Sequence, residues 1–291
     1  MINLHTHSKF CDGKCTPEEM VLAAIEKGFS VLGFSSHSVH PLDPMFYSPF
    51  DHIWSMHKAD FGSYVAEINR LKDKYASKIK IMLGFEADYF KSETVGLALP
   101  SKEVYAEFKP DFLIGSVHFI NKGGAFFTVD NSVESVKANL EKLYTNPKTG
   151  AVDGRALACD YFQAERDMLA EGDFDILGHP DLVRIRNVVL KFFDEGESWY
   201  KEQLVETAKA AAKAGVIAEI NTGAIFRKNM DDVYPSAAFL EILHEHKVPV
   251  CINADAHTTA ALDCAYDRAK AAAKKAGYTE LVYPGNYIEK L

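Results

Sequence analysis

An α/β fold built on a parallel sheet is what this sequence predicts, and three observations predict it. Seven short runs that are β-branched or apolar almost throughout recur along the 291 residues. Longer amphipathic stretches, framed by helix-start and helix-stop residues, separate them. The composition, 47% hydrophobic and 25% charged, is that of a globular chain long enough to bury a large core. Short runs apolar on every side suit strands covered by helices on both faces, the arrangement of parallel sheets.

Taken in order, INLH (residues 2–5) is the first expected strand. A helix over 16–27 follows, opened by Thr16-Pro17-Glu18-Glu19: a capping residue, then Pro at the first helical position, then acid in the first turn. Gly28 stops it. The next strand, 31–35, precedes a helix over 60–75, and the third, 80–85, precedes one over 101–108. The fourth strand, 112–117, is followed by helices over 132–144 and 153–170. The fifth, 174–178, leads to a helix over 198–214, the sixth, 216–220, to one over 236–246, and the seventh, 248–253, to one over 259–276. The similar segments KAAAKAG and KAAAKKAG are read as surface helices ending at Gly, not as a repeat. A closed barrel and an open doubly wound sheet both fit this order. No GxGxxG or GxxxxGK[ST] loop follows any strand, which weakens a nucleotide-binding open sheet.

Composition narrows the function classes. Lys+Arg of 32 against Asp+Glu of 41 gives a net charge of −9, a poor generic match to nucleic acid or anionic membrane. No apolar run approaches the roughly 18–20 residues of a membrane span, and MINLHTHSKF lacks the pattern of a signal peptide. Five cysteines without framework spacing suggest free thiols in a reducing, cytoplasmic setting. Residues 40–58, rich in Pro and aromatics, form the longest irregular stretch and are expected to be a lid over a binding site.

The histidines carry the chemical signal. Of eleven, six (His5, His7, His37, His118, His179 and His257) fall at or just beyond the C-terminal ends of expected strands. In parallel α/β folds those ends converge on one face, where active sites are built. Three acids, Asp12, Glu86 and Asp255, occur at the same level. His5 and His7, like Asp255 and His257, are two residues apart and face the same way on extended chain. Imidazole nitrogen and carboxylate oxygen are ligands for Zn, Mn or Fe, and nine such groups exceed the four one tetrahedral ion takes. Two or three divalent ions sharing carboxylates are therefore expected. Cys11 and Cys15 lack a second pair to complete a thiolate site, and no GxSxG elbow is present.

These ordered motifs are HTH near the start, His37 after the second strand, Glu86 after the third, VH after the fourth, GHPD after the fifth and DAH after the seventh. Together they resemble the PHP (polymerase and histidinol phosphatase) family over almost the whole chain. NTGAIFRK after the sixth strand, and the length without a polymerase domain, make the chain most similar to its monofunctional phosphatase branch. The resemblance implies a single domain over 1–291 folded as a distorted (β/α)7 TIM-like barrel. It implies a cluster of up to three ions at the C-terminal strand ends, one taking His5, His7, Glu86 and Asp255, a second Glu86, His118 and His179, and a third Asp12, His37 and His257. It further implies hydrolysis of L-histidinol phosphate by a metal-bridging hydroxide, with Glu86, Asp255, His257 and Arg184 as catalytic residues. Where the family motif often reads Asp-His, this chain has Ser36-His37.

A phosphate ester also needs a cation to hold its oxygens. Arg184, Arg227 and Arg155, in that order, are the expected clamps, since guanidinium binds phosphate bidentately. Ser36 and His40 complete the candidate substrate-binding set, with His40 also a possible proton donor to the leaving alcohol. Asp43, Phe46, Tyr47, Asp51 and Trp54 of the expected lid suit the ammonium and imidazole of such a substrate. The expected partner is a small phosphate ester, not nucleic acid or membrane, and monomer and homo-oligomer stay open. Three other readings compete: a phosphoesterase of the same family acting on nucleotide or sugar phosphates, an amidohydrolase-type enzyme, and a non-catalytic metal-binding or polymerase-accessory module. No expected strand ends in the Lys that amidohydrolase sites commonly carboxylate.

Overall fold

The computed structural model describes residues 1–38, 54–93 and 96–291. Seven parallel strands lie side by side in chain order: β1 (Ile2–Asn3), β2 (Val31–Ser38), β3 (Lys80–Asp88), β4 (Phe112–Ser116), β5 (Ile176–Leu177), β6 (Ile217–Asn221) and β7 (Val250–Asn253). Just past the strand ends, Thr6 bridges Ala256 in parallel, so the first and last strands meet and the sheet curls into a barrel. The closed alternative is therefore the one adopted. Closure uses side chains where the backbone ladder stops: Asn3 Oδ1 accepts from the amides of His5 and Ala254, each at 3.2 Å, and Asn253 Oδ1 from that of Leu4 at 2.7 Å. This side-chain pairing explains why β1 ends at Asn3, earlier than expected.

Helices cover the outside: α1 (Pro17–Glu26), α2 (Phe61–Tyr75), α3 (Val133–Tyr144), α4 (Gly154–Glu171), α5 (Arg184–Leu190), α6 (Ser198–Ala214), α7 (Gly223–Phe226), α8 (Ala237–Glu245) and α9 (Tyr266–Ala276). The expected cap of α1 is a full capping box, Thr16 accepting from the Glu19 amide and Glu19 from the Thr16 amide at 2.7 Å. Over 101–108 only the turn Ala106–Phe108 is helical. That stretch lies between Pro100 and Pro110, and Ser101 is held by a bridge to Asp173. The stretch 259–276 divides at Ala265, whose φ is 56°, into a short turn and α9. Among the described residues, three antiparallel strand pairs had no counterpart in the expectation from sequence: Phe90–Ser92 with Gly96–Ala98, Phe119–Lys122 with Ala125–Thr128, and Glu280–Tyr283 with Tyr287–Lys290.

Inside the barrel an apolar floor supports the mouth. The Phe112 ring fills the space left by two glycines; a Cβ on Gly84 would lie 2.5 Å from its Cζ and one on Gly33 2.8 Å. Above that floor, strand register sets polar groups side by side: His37 pairs with Glu86 and Asn221 with Asn253. Parallel strands in register point paired side chains to the same face, so the ladder itself assembles the upper layer. Among the described residues no helix is long and apolar enough to cross a membrane.

Candidate metal centre

Glu86, completely buried, is the hub. Its Oε2 lies 2.8 Å from His37 Nδ1, 3.1 Å from His5 Nε2 and 3.5 Å from His7 Nε2. Its Oε1 lies 2.9 Å from His179 Nε2 and 3.4 Å from His118 Nε2, and accepts a hydrogen bond from the Ser116 hydroxyl at 2.8 Å. Five imidazoles from four strand ends thus surround one carboxylate. Asp255 Oδ1 stands 3.1 Å from His7 Nε2 and 3.5 Å from His257 Nδ1. Asp12, on the loop after β1, reaches His257 Nε2 at 3.1 Å and His37 Nε2 at 3.8 Å.

All nine residues expected as ligands therefore converge. The donor atoms of eight of them fall into three groups, each compact enough to hold an ion: His5, His7 and Asp255; His37, Glu86 and His118; and His7, Asp12, His37 and His257; His179 joins none of the three and meets Glu86 instead. The grouping differs in detail from the expected one, with His7 reaching toward Asp12 and His37 toward Glu86. Several of these atoms are buried with no hydrogen-bonding partner: His5 Nε2, His7 Nε2, His37 Nδ1, Asp12 Oδ1 and Glu86 Oε2. Buried polar atoms are ordinarily satisfied, so lone pairs aimed together at one place fit cations.

Electrostatics point the same way. Burial works against charge throughout the cluster, yet the surrounding His37, His5 and His118 hold the Glu86 carboxyl well below the usual range. Asp255 is likewise held well below it, despite burial, by Arg227 and His5. His7, buried and flanked by His257 and His37, is pushed down to about 3, a neutral ligand at all ordinary pH. Burial opposes protonation of His118, but Asp88 and Glu86 overcome it and raise its pKa to about 10. The same contest raises His5, through Glu219, Glu86 and Asp255, and His37, through Glu86 and Asp12. Protons on these imidazoles thus occupy the place of cations, and a divalent ion must displace them. The raised pKa values mean that lower pH favours the proton. We expect zinc binding to release protons between pH 6 and 8 and to tighten as pH rises. Calorimetry in buffers of different ionisation enthalpy measures the release; binding without it would contradict this charge balance.

Two buried acids escaped the sequence reading. Asp88 Oδ1 lies 2.6 Å from His118 Nδ1, and Glu219 Oε1 lies 2.7 Å from His5 Nδ1. Both side chains are fully buried. Burial works against its ionisation, but His5 and His179 with the Asn221 amide keep Glu219 below the ordinary carboxyl range. An acid within the apolar run VIAEI was the available signal.

The expected phosphate-binding arginines divide. A cleft of about 540 Å³ opens above the cluster, walled by Trp54, Asp130, Asn131, Arg186, Phe226 and Arg227. Arg227 is there, with NH2 on Asp255 Oδ2 at 2.9 Å. The structure does not bring Arg184 to the cleft. Its guanidinium is bound into Glu195 at 2.8 Å, Asp232 at 3.2 Å and Asp181 at 3.5 Å. Arg155 lies over the Trp199 ring, 5.1 Å from its centroid, and is not brought there either. Ser36 is buried beneath the mouth, its amide donating to the Tyr64 hydroxyl at 3.4 Å. His40, Asp43, Phe46, Tyr47 and Asp51 lie outside the described residues. Trp54 is described, edge-on to His37 with centroids 5.1 Å apart.

Arg186, not anticipated, occupies the position expected of Arg184. Two residues apart on α5, the two arginines point about 200° apart around the helix. Among the described residues Arg186 donates only to neutral oxygens: the carbonyls of Asp130 and Asn131 and the Asn229 Oδ1. It lines the cleft, and no carboxylate among the described residues pairs with it.

A parallel seven-stranded barrel with histidines and carboxylates gathered at its C-terminal mouth defines a metal-binding α/β barrel. The PHP domain model matches residues 3–223, and the chain belongs to the PHP family. It is 29% identical over 289 residues to a Schizosaccharomyces pombe protein named "Probable histidinol-phosphatase", covering 96% of this chain and 88% of that one. The fold matches a crystal structure of a Listeria monocytogenes chain assigned as a histidinol phosphatase, with TM-score 0.78, 22% identity, and coverage of 92% of this chain and 99% of that one. It also matches the Lactococcus lactis histidinol phosphate phosphatase solved with zinc, L-histidinol and phosphate, with TM-score 0.71, 24% identity, and coverage of 99% and 98%.

Proposed function

We propose that the protein is a metal-dependent phosphomonoesterase that hydrolyses L-histidinol phosphate to L-histidinol and phosphate, the whole of 1–291 acting as one catalytic domain. The observation that carries the reading is Glu86 ringed by five imidazoles at the floor of a small cleft, with Arg186 on the wall and no carboxylate among the described residues paired with it. The names of the relatives supply the substrate. His5, His7, Asp12, His37, Glu86, His118, His179, Asp255 and His257 are the residues that would hold two to three divalent ions of Zn, Fe or Mn. Bound there, such ions would neutralise phosphoryl oxygens and make a water acidic enough to ionise near neutral pH.

The chain's own residues do the rest. Arg186 offers the phosphate a planar fork of donors already fixed by three oxygen partners. Arg227 holds Asp255 through its Oδ2, leaving Oδ1 toward His7 and His257. Asp130 places a carboxylate and Trp54 an aromatic face on the cleft wall, suited to the ammonium and imidazole of the alcohol. A cleft of this size suits a small ester better than a macromolecule, and five free cysteines fit a cytoplasmic enzyme.

The test is a phosphatase assay over a panel of phosphomonoesters, with metal content measured on the same sample. We expect histidinol phosphate to be preferred, two to three ions per chain, and activity lost to a chelator and restored by divalent metal. Preference for nucleotides or sugar phosphates would move the reading to another phosphoesterase of the family; a fully loaded protein with one ion would overturn the multinuclear assignment.

A further inference from the structure

Beneath the ligands, on β6, the carboxylate of Glu219 is completely buried. Each of its oxygens has two nitrogens within hydrogen-bonding distance. Oε1 lies 2.7 Å from His5 Nδ1 and 2.9 Å from Asn253 Nδ2. Oε2 lies 2.9 Å from the backbone nitrogen of His179 and 2.8 Å from Asn221 Nδ2. Neither asparagine can turn its oxygen to Glu219 instead. Asn253 Oδ1 is occupied by the Leu4 amide at 2.7 Å and Asn221 Oδ1 by the Gly223 amide at 2.8 Å. A backbone N–H has no other role to take. Asn253 Nδ2, Asn221 Nδ2 and the His179 amide are fixed donors, and a carboxylate accepting three such bonds is held ionised, so the proton between it and His5 sits on Nδ1.

Two consequences reach the mouth. With Nδ1 of His5 holding the proton shared with Glu219, Nε2 is the nitrogen left to a divalent ion once that ion displaces its proton. That atom faces Glu86 Oε2 at 3.1 Å and Asp255 Oδ1 at 3.7 Å and has no hydrogen-bonding partner. His179 has a φ of 27°, a conformation rare for a residue with a side chain, and the bond from its amide to Glu219 helps hold it. In that pose its Nε2 reaches Glu86 Oε1 at 2.9 Å. His5 follows the first strand and His179 the fifth, so one carboxylate ties ligands from well-separated strands of the barrel.

We infer that Glu219 is the positioning residue of the centre: it fixes the protonated nitrogen of His5 and the backbone pose of His179, and so sets affinity for divalent ions. The inference rests on the metal-holding part of the proposed function and not on the identity of the substrate. Glu219→Gln keeps the shape but offers one acceptor oxygen, so its NH2 must face donors on one side or the other. A zinc titration against a competing chelator should show affinity lowered roughly 10–100-fold, the usual effect of losing such an orienting partner. The far-ultraviolet circular dichroism should be unchanged. Nitrogen-15 spectra of the zinc-loaded wild-type protein, with the His5 signal assigned by its loss in His5→Asn, should show the proton on Nδ1. Unchanged zinc affinity in folded Glu219→Gln, or a proton on Nε2 of His5, overturns the inference. If the variant fails to fold, the wild-type spectrum alone decides. Neither readout depends on phosphatase activity, so failure of the substrate assignment leaves the test intact.

Discussion

Replacing Glu86 by alanine should lower kcat/KM for histidinol phosphate by roughly a thousandfold or more and reduce the number of ions retained. The size follows from what the carboxylate faces: three imidazole nitrogens on one oxygen and two on the other, at 2.8 to 3.5 Å. Metal ions at such a centre supply several kcal/mol of transition-state stabilisation, and each 1.36 kcal/mol is tenfold in rate. No other acid in the cluster reaches as many histidines. Asp12 sits at the rim, about a quarter exposed, with its one short contact to His257 at 3.1 Å. Asp12→Ala should therefore cost markedly less. Steady-state kinetics and metal analysis on both variants provide the comparison. Equal losses with metal intact would remove Glu86 from its shared position between ions.

The second large effect separates two arginines one helical half-turn apart. Arg186→Ala should lower kcat/KM by roughly 10²–10³, the order seen when a preorganised charge-stabilising donor is lost, with metal content and thermal stability near wild type. Arg186→Lys should recover little, because a single ammonium cannot copy the planar fork. Arg184→Ala should behave in the opposite way. Its guanidinium is itself almost buried, against Asp181 inside and the partly exposed Glu195 and Asp232. Leaving a buried Asp181 without its cation should cost about 3 kcal/mol of stability, the low end for a broken buried pair because two of the partners are wet. Denaturant unfolding and kinetics on the same variants distinguish the two roles. A catalytic defect confined to Arg184→Ala would return the clamp to that residue.

The two arginines show where one-dimensional reading stops. RIR places both within reach of the strand end, and distance along the chain favours the first. Only formation of α5 turns one inward and the other to the cleft. Arg227 was legible as a cation near the sixth strand, but not that Asp255 would hold it. Asp88 and Glu219 have the period-two spacing of an inward-facing strand residue, next to Glu86 and Asn221, and their role depends on which imidazole the curled sheet brings opposite.

The sequence by itself determined the alternation of strands and helices and the nine histidines and carboxylates that gather at one end of the barrel. It could do so because a buried parallel strand is an unbroken apolar run, and a histidine directly after one has only the mouth to occupy. Tertiary structure decided what depends on closure. Thr6 meeting Ala256 makes the sheet a barrel, and the curl brings residues 5, 86, 179 and 219 within hydrogen-bonding distance of one another in a chain. Which nitrogen of His5 meets Glu219, and which arginine faces the cleft, follow from contacts between strands and helices far apart in sequence, and no local pattern encodes them.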